Sequence, residues 1–224
     1  MARSIKITIV SVVIAIAAGL AAYTAVAFVA SNPPTVDFTS GHVAGQPVNL
    51  TVQTVGAYGQ APHPSWVTYM TEAPSGQWVH TTLWQLPAHT RINVTIYQFD
   101  SGGPLRNQQL GRVTGTIGGA MLVNGKPTKV INSNVGAGVG HTFSVPSLGI
   151  NIPLAGVANP NVCGAAPCLT SKWPHNTIKF SFVTPGVGQY RWQCFVPCAA
   201  GWLFGNGGPM QTIGYMGGFL KVVD

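Results

Sequence analysis

Acidic side chains are almost missing from this chain. Asp37, Glu72, Asp100 and Asp224 are the only four carboxylates in 224 residues, apart from the chain terminus. Charged residues make up 7% of the sequence, against roughly a quarter in an ordinary soluble protein. Four scattered carboxylates give no basis for a glycosidase-type pair. The shortage also fits a surface that faces acid, where carboxylates lose their charge and their ion pairs. Basic residues are in excess, with a net charge of +7, but they form no run. That excludes a nucleic-acid-binding signature and leaves an acidic partner or anionic lipid headgroups as natural counterparts. Also missing are a G-x-S-x-G elbow, a glycine-rich phosphate loop after a strand, hydrolytic zinc motifs and His-x-His pairs. Serine hydrolases, nucleotide-binding enzymes and multicopper oxidases are set aside on these grounds.

Long apolar runs are absent too, with one exception. After Arg3 and Lys6, residues Ile7 to Val29 carry no charge. As a helix, about 23 residues span roughly 34 Å, enough to cross a bilayer core. Positive charge ahead of the run predicts a cytoplasmic N-terminus and an exported remainder. We therefore expect residues 1–30 to be a single-pass anchor in the cell membrane, contacting the lipid bilayer. The alternative is a cleaved signal peptide, for which Ala25-Val26-Ala27 has the small-x-small form. Residues 31–47, with Pro33 and Pro34, read as a linker, and residues 48–224 as the extracytoplasmic domain.

The rest of the chain is rich in glycine and proline, 28 and 17 residues, and contains no further amphipathic helix. Alternating segments predict strands at 48–55, 66–70, 77–86, 86–100 and 141–146, and two more around the Thr184-Pro185-Gly186 turn. Residues 56–65 and 101–112 read as loops, and 113–140 as short strands and turns. The sum is an all-β sandwich or barrel. Four cysteines form two local pairs. Export permits disulfides, and Cys163 and Cys168, in a Gly/Pro loop without histidine, read as a loop-stapling bridge. Cys194 and Cys198 differ, because they follow a strand and precede Met210 and Met216. Cys, His and Met on loops between strands suit copper, and His141 heads the strand segment HTFSVP.

Three segments carry a family resemblance. HTFSVPSLGINIPL and NTIKFSFVTPGVGQYRWQCFVPC, followed by a Met-Gly strand, resemble the copper A domain of subunit II of haem-copper cytochrome oxidases, over about residues 86–224. The resemblance implies a cupredoxin-like Greek-key β-sandwich. It implies His141 as a copper ligand, Cys194 and Cys198 as bridging thiolates, and the Val196 backbone carbonyl as a weak ligand. The thioether would come from Met216, or from Met210 as the alternative. The family's second histidine, four residues after the second cysteine, is replaced by Trp202, and no histidine follows His175. Three readings follow: one copper on His141, the cysteines and a methionine; a fuller site completed by His175 or another distant histidine; or an empty site closed by a Cys194–Cys198 disulfide. The first, one copper rather than two, implies electron transfer in a respiratory chain, from an electron donor protein to oxidase or other respiratory membrane subunits. The last implies a copper-free accessory subunit of such a complex; a non-redox copper carrier is a further alternative. Trp192 and Trp202 are candidates for a docking surface or for packing over the loop.

Overall fold

The computed structural model of the chain describes residues 2–30, 33–60, 63–158, 163–198 and 208–224. In chain order it has helix α1 (Ala2–Ala30) and strands β1 (Thr35–Asp37), β2 (Val48–Gln60), β3 (His63–Glu72), β4 (Trp78–Val79), β5 (Leu83–Pro87), β6 (Arg91–Gln98), β7 (Met121–Val123), β8 (Lys126–Thr128), β9 (Val139–Val145), β10 (Ile150–Ala155), β11 (Asn176–Val183), β12 (Gly188–Gln193) and β13 (Gly217–Val223). They form two sheets. One has the order β1-β5-β13-β12-β9-β10 and the other β4-β3-β2-β6-β11-β7-β8. This is the expected all-β sandwich with an N-terminal helix. Parallel pairs join β1 to β5, β5 to β13 and β2 to β6, and the other pairs are antiparallel.

Register explains the core. In the second sheet three apolar rows cross β2, β6 and β11: Val48–Ile92–Phe182, Leu50–Val94–Phe180 and Val52–Ile96–Ile178. The period-2 alternation of each strand turns these residues inward together. In the first sheet Trp84 sits beside Leu220 and Leu86 beside Val222. Trp192 stacks on Trp84 with ring centroids 4.8 Å apart and planes 9° from parallel, and lies 5.2 Å from Phe143. Tyr69 of the facing sheet meets Trp192 edge-on at 4.9 Å. Both indole N–H groups are satisfied, Trp192 donating to the Thr82 carbonyl and Trp84 to the Thr71 hydroxyl. Trp192 is thus fully buried core, which removes it as a docking residue.

Three local expectations are corrected. Within 56–65, read as a loop, residues 56–60 and 63–65 instead prolong strands β2 and β3, with Tyr58 opposite Trp66 and Gln60 opposite His63. The register shifts fall around Gly56 and Gly59, where a bulge tolerates a missing side chain. Within the stretch read as a linker, Thr35–Asp37 forms an edge strand, because Val36 and Phe38 are buried. The strand expected over 77–86 breaks at residues 80–82, where the chain passes from one sheet to the other; Thr81 and Thr82 are fully buried there and donate their hydroxyls to backbone carbonyls.

Lys6–Ala25 of α1 is long and apolar enough to cross a membrane, and none of it is buried against the sandwich. A signal sequence at this position has the same character. Cys163 and Cys168 form the expected disulfide, packed with Val55 and Phe99 in a small second core.

Two outcomes are expected from the fold. Trp192→Ala should cost about 3–5 kcal/mol, read as a lower denaturation midpoint at unchanged slope; a loss below 1 kcal/mol would contradict the central place of the stack. Asp37 accepts hydrogen bonds from the Thr39 hydroxyl and amide and from Ser40; chiefly the Thr39 hydroxyl bond brings its pKa down to about 2. A depressed carboxylate stabilises the fold above its unfolded pKa, and that contribution disappears as pH falls through the folded value. Thermal melts of wild type and Asp37→Asn should therefore differ at about pH 5 and converge near about pH 2.

Candidate metal centre

The centre is assembled by the same alternation that builds the core. On β9, His141 and Phe143 are two residues apart and both are buried, at 3% and 0% exposure. Trp192 of β12 and Cys194 just beyond it are also two apart, and neither is exposed. The register pair Gln193–Ser144 holds the two strands side by side. His141, Cys194 and Cys198 consequently converge, with one donor atom from each within 4.8 Å of the others. His141 Nδ1 is 2.9 Å from Cys198 Sγ and 3.9 Å from Cys194 Sγ. The two sulfurs are 3.1 Å apart and not bonded to each other. The Val196 carbonyl oxygen faces both, 3.0 Å from Cys198 Sγ and 3.5 Å from Cys194 Sγ.

The backbone fixes Cys194 from two sides. Its amide donates to the Met216 carbonyl at 2.8 Å, and the Thr142 amide donates to its sulfur at 3.3 Å. At the start of β13, Gly218 passes so close to Thr82 that a β-carbon would overlap the Thr82 carbonyl oxygen, so this approach requires glycine. Met216 is fully buried in the same apolar cluster as Cys194 and Cys198, whereas Met210 is partly buried at its margin. The Met210 carbonyl accepts from the Gln193 side chain.

The other candidate histidines lie elsewhere. His175 Nδ1 donates to the Trp173 carbonyl, and the ring packs 5.2 Å from Phe99, beside the disulfide core. His80 stacks on Tyr58 at 4.2 Å. Among the described residues, neither joins the cluster. Trp202 lies outside the described residues.

Asp100 is the residue that sequence reasoning missed. Its Oδ2 lies 3.0 Å from His141 Nε2, and its Oδ1 accepts from the Ser101 amide. The imidazole is thereby oriented with Nε2 to the carboxylate and Nδ1 to the sulfurs, the arrangement by which an outer carboxylate fixes a metal-binding histidine. The available signal was rarity: in a chain with four carboxylates, one at the end of a core strand has a task.

Charge follows from this geometry. Burial by itself would lower the His141 pKa, but the Asp100 hydrogen bond and the Cys194 sulfur outweigh it and raise it to about 9. Burial opposes the ionisation of Asp100, yet its bond and charge interaction with His141 hold its pKa below the usual carboxylate value. Cys194 is depressed well below an ordinary thiol despite burial, by hydrogen bonds from Cys198 and His141. Cys198 is raised, chiefly because it donates to Cys194. Of the two sulfurs Cys194, which also receives the Thr142 amide, is the one disposed to ionise. One imidazole and two sulfurs form a donor set for a soft metal ion.

No protein-family model matches the chain, and no curated protein matches it. Similar solved structures are of the copper protein rusticyanin. One is 16% identical over 84% of this chain and 82% of that chain, with a TM-score of 0.34. Reduced rusticyanin is 15% identical, with 84% of each chain covered and a TM-score of 0.33. Rusticyanin from Thiobacillus ferrooxidans is 16% identical over 84% and 82%, with a TM-score of 0.33.

The Asp100 contact has a measurable consequence. Asp100→Asn should weaken binding of a thiophilic probe ion such as Cd(II) by about ten- to a hundredfold, with the sandwich still folded by circular dichroism. Unchanged affinity in competition titrations would show that His141 orients itself without the carboxylate.

Proposed function

We propose that this chain is an extracytoplasmic copper-binding domain that transfers electrons in a respiratory chain, held at the membrane by α1. One observation carries the reading: His141, Cys194 and Cys198 converge in a buried, apolar setting with their sulfurs unbonded. The donors fit copper, since thiolate and imidazole together suit both of its oxidation states. Bound copper supplies a one-electron couple; the chain supplies everything else. His141 Nδ1, Cys194 Sγ and Cys198 Sγ would hold the ion, with the Val196 carbonyl as a weak fourth contact and Met216 as the thioether. Full burial beside Cys194 favours Met216 over Met210. The stacked Trp84, Trp192 and Phe143 keep the ligand strands rigid, which limits reorganisation when the charge changes. The core excludes water from the sulfurs.

The resemblance to the oxidase subunit II copper domain supports placing the chain beside respiratory membrane subunits, as an electron-transfer subunit and not a stand-alone enzyme. One imidazole in the cluster supports one copper per chain rather than the binuclear centre of that family.

Metal analysis and an optical spectrum of the full chain in detergent test this directly. We expect about one copper per chain and an intense thiolate-to-copper band in the visible. Cys194→Ser should abolish the band, and His141→Ala should weaken copper binding. Met216→Leu should shift the reduction potential more than the affinity, because an axial thioether is a weak ligand. A chain that takes no copper and carries a Cys194–Cys198 disulfide would defeat electron transfer and leave a copper-free accessory subunit.

A further inference from the structure

Phe195 is bonded directly to Cys194, yet the two residues face opposite ways. Cys194 is fully buried and Phe195 is 43% exposed. The Phe195 amide donates to the Thr142 hydroxyl at 2.9 Å, which fixes the backbone from which the exposed ring projects beside the centre. The ring forms a ridge between two hollows. One, of about 480 Å³, has Leu110, Pro146 and Ile150 in its walls and Arg112 at its edge. The other, of about 370 Å³, is bordered by Gln189, Arg191 and Gln193. Arg191 is exposed and lies over the Phe219 ring at 5.7 Å. Lys221 is exposed on the next strand, opposite Gln189.

Among the described residues no carboxylate lines either hollow, and the position of all four explains why. Asp100 is turned to His141. Asp37 is bonded by Thr39 and Ser40 on β1, at the far edge of the sheet. Glu72 ends β3 in the other sheet, and Asp224 follows the end of β13 opposite to Cys194. The face is thus an aromatic centre with a rim of fixed cations and no anion. An apolar centre with a charged rim is the plan of a docking surface, and the sign of the rim selects the partner.

We infer that the Phe195 face docks an acidic redox protein, one whose cofactor edge is ringed by carboxylates. This rests on the electron-transfer reading above. Arg112, Arg191 and Lys221 steer the encounter, and Phe195 fills the desolvated centre one residue from the ligand thiolate. A partner ringed by lysines is repelled.

The test uses the full chain in uncharged detergent and two probes of opposite sign. Cytochrome b5 presents an acidic rim around its haem, and cytochrome c a basic one. Amide shifts in the metal-free chain on adding cytochrome b5 should centre on Phe195, Arg191 and Arg112. In the copper-loaded chain, electron exchange with cytochrome b5 should be faster than with cytochrome c and should slow with added salt. Arg191→Glu and Phe195→Ala should each slow it by about tenfold, whereas Lys179→Glu, the same charge change on the other sheet, should alter it less than about twofold. Shifts centred on Lys179, a faster reaction with cytochrome c, or equal effects of Arg191→Glu and Lys179→Glu would overturn the proposal. So would loss of binding to anionic vesicles in Arg191→Glu with cytochrome b5 exchange unchanged, which would make the face a lipid contact. If the chain takes no copper, the shift map still decides whether the face binds an acidic protein, so the two failures are separable.

Discussion

The stack of Trp84, Trp192 and Phe143 is the constraint on which the rest depends. Trp84 and Trp192 lie face to face at 4.8 Å, and Phe143 closes the stack at 5.2 Å from Trp192. These rings belong to three strands of one sheet, and Tyr69 joins them to the other sheet while its hydroxyl donates to the Thr142 carbonyl. Phe143 is two residues from His141 and Trp192 is two from Cys194. Because side chains alternate at period 2, whatever seats the aromatic pair also seats the imidazole and the thiol on the same side. The core and the centre are one piece of packing.

This coupling explains why so few polar groups are spent on the site. Asp100 orients the imidazole, Thr142 supplies an amide to Cys194, and the Val196 carbonyl faces both sulfurs. Both cysteines otherwise sit within the main apolar cluster. Ionisation of the buried Cys194 is favoured by the donors that surround it. The scarcity of carboxylates then has two faces. Inside, the scarce carboxylate Asp100 is taken up in pairing with His141. Outside, the scarcity leaves the rim around Phe195 without an anion.

Much of the fold was legible in the residues. Ile92, Val94 and Ile96 alternate cleanly, and the structure places them in register with β2 and β11. The Thr-Pro-Gly turn separates β11 from β12 as expected, and Cys163 pairs with Cys168. What misled was local chemistry overruled by pairing. Gly56 and Gly59 have loop character, but the ladder to β3 carries them as bulges. Thr35–Asp37 is too short to announce itself and becomes a strand only because β5 offers it an edge.

The sequence by itself determined most of the strands, the apolar helix and the disulfide loop, because these depend on alternation, length and close spacing. It could also point to His141 and Cys194 through resemblance. Only the tertiary structure decided that Cys194 and Cys198 stand unbonded at 3.1 Å, that Trp192 is core and not surface, that His175 belongs to the disulfide cluster, and that Asp100 holds His141. These facts join residues dozens of positions apart. They follow from which strands become neighbours and in what register, and a one-residue change of register would send the strand residues among them, His141 and Trp192, to the opposite face.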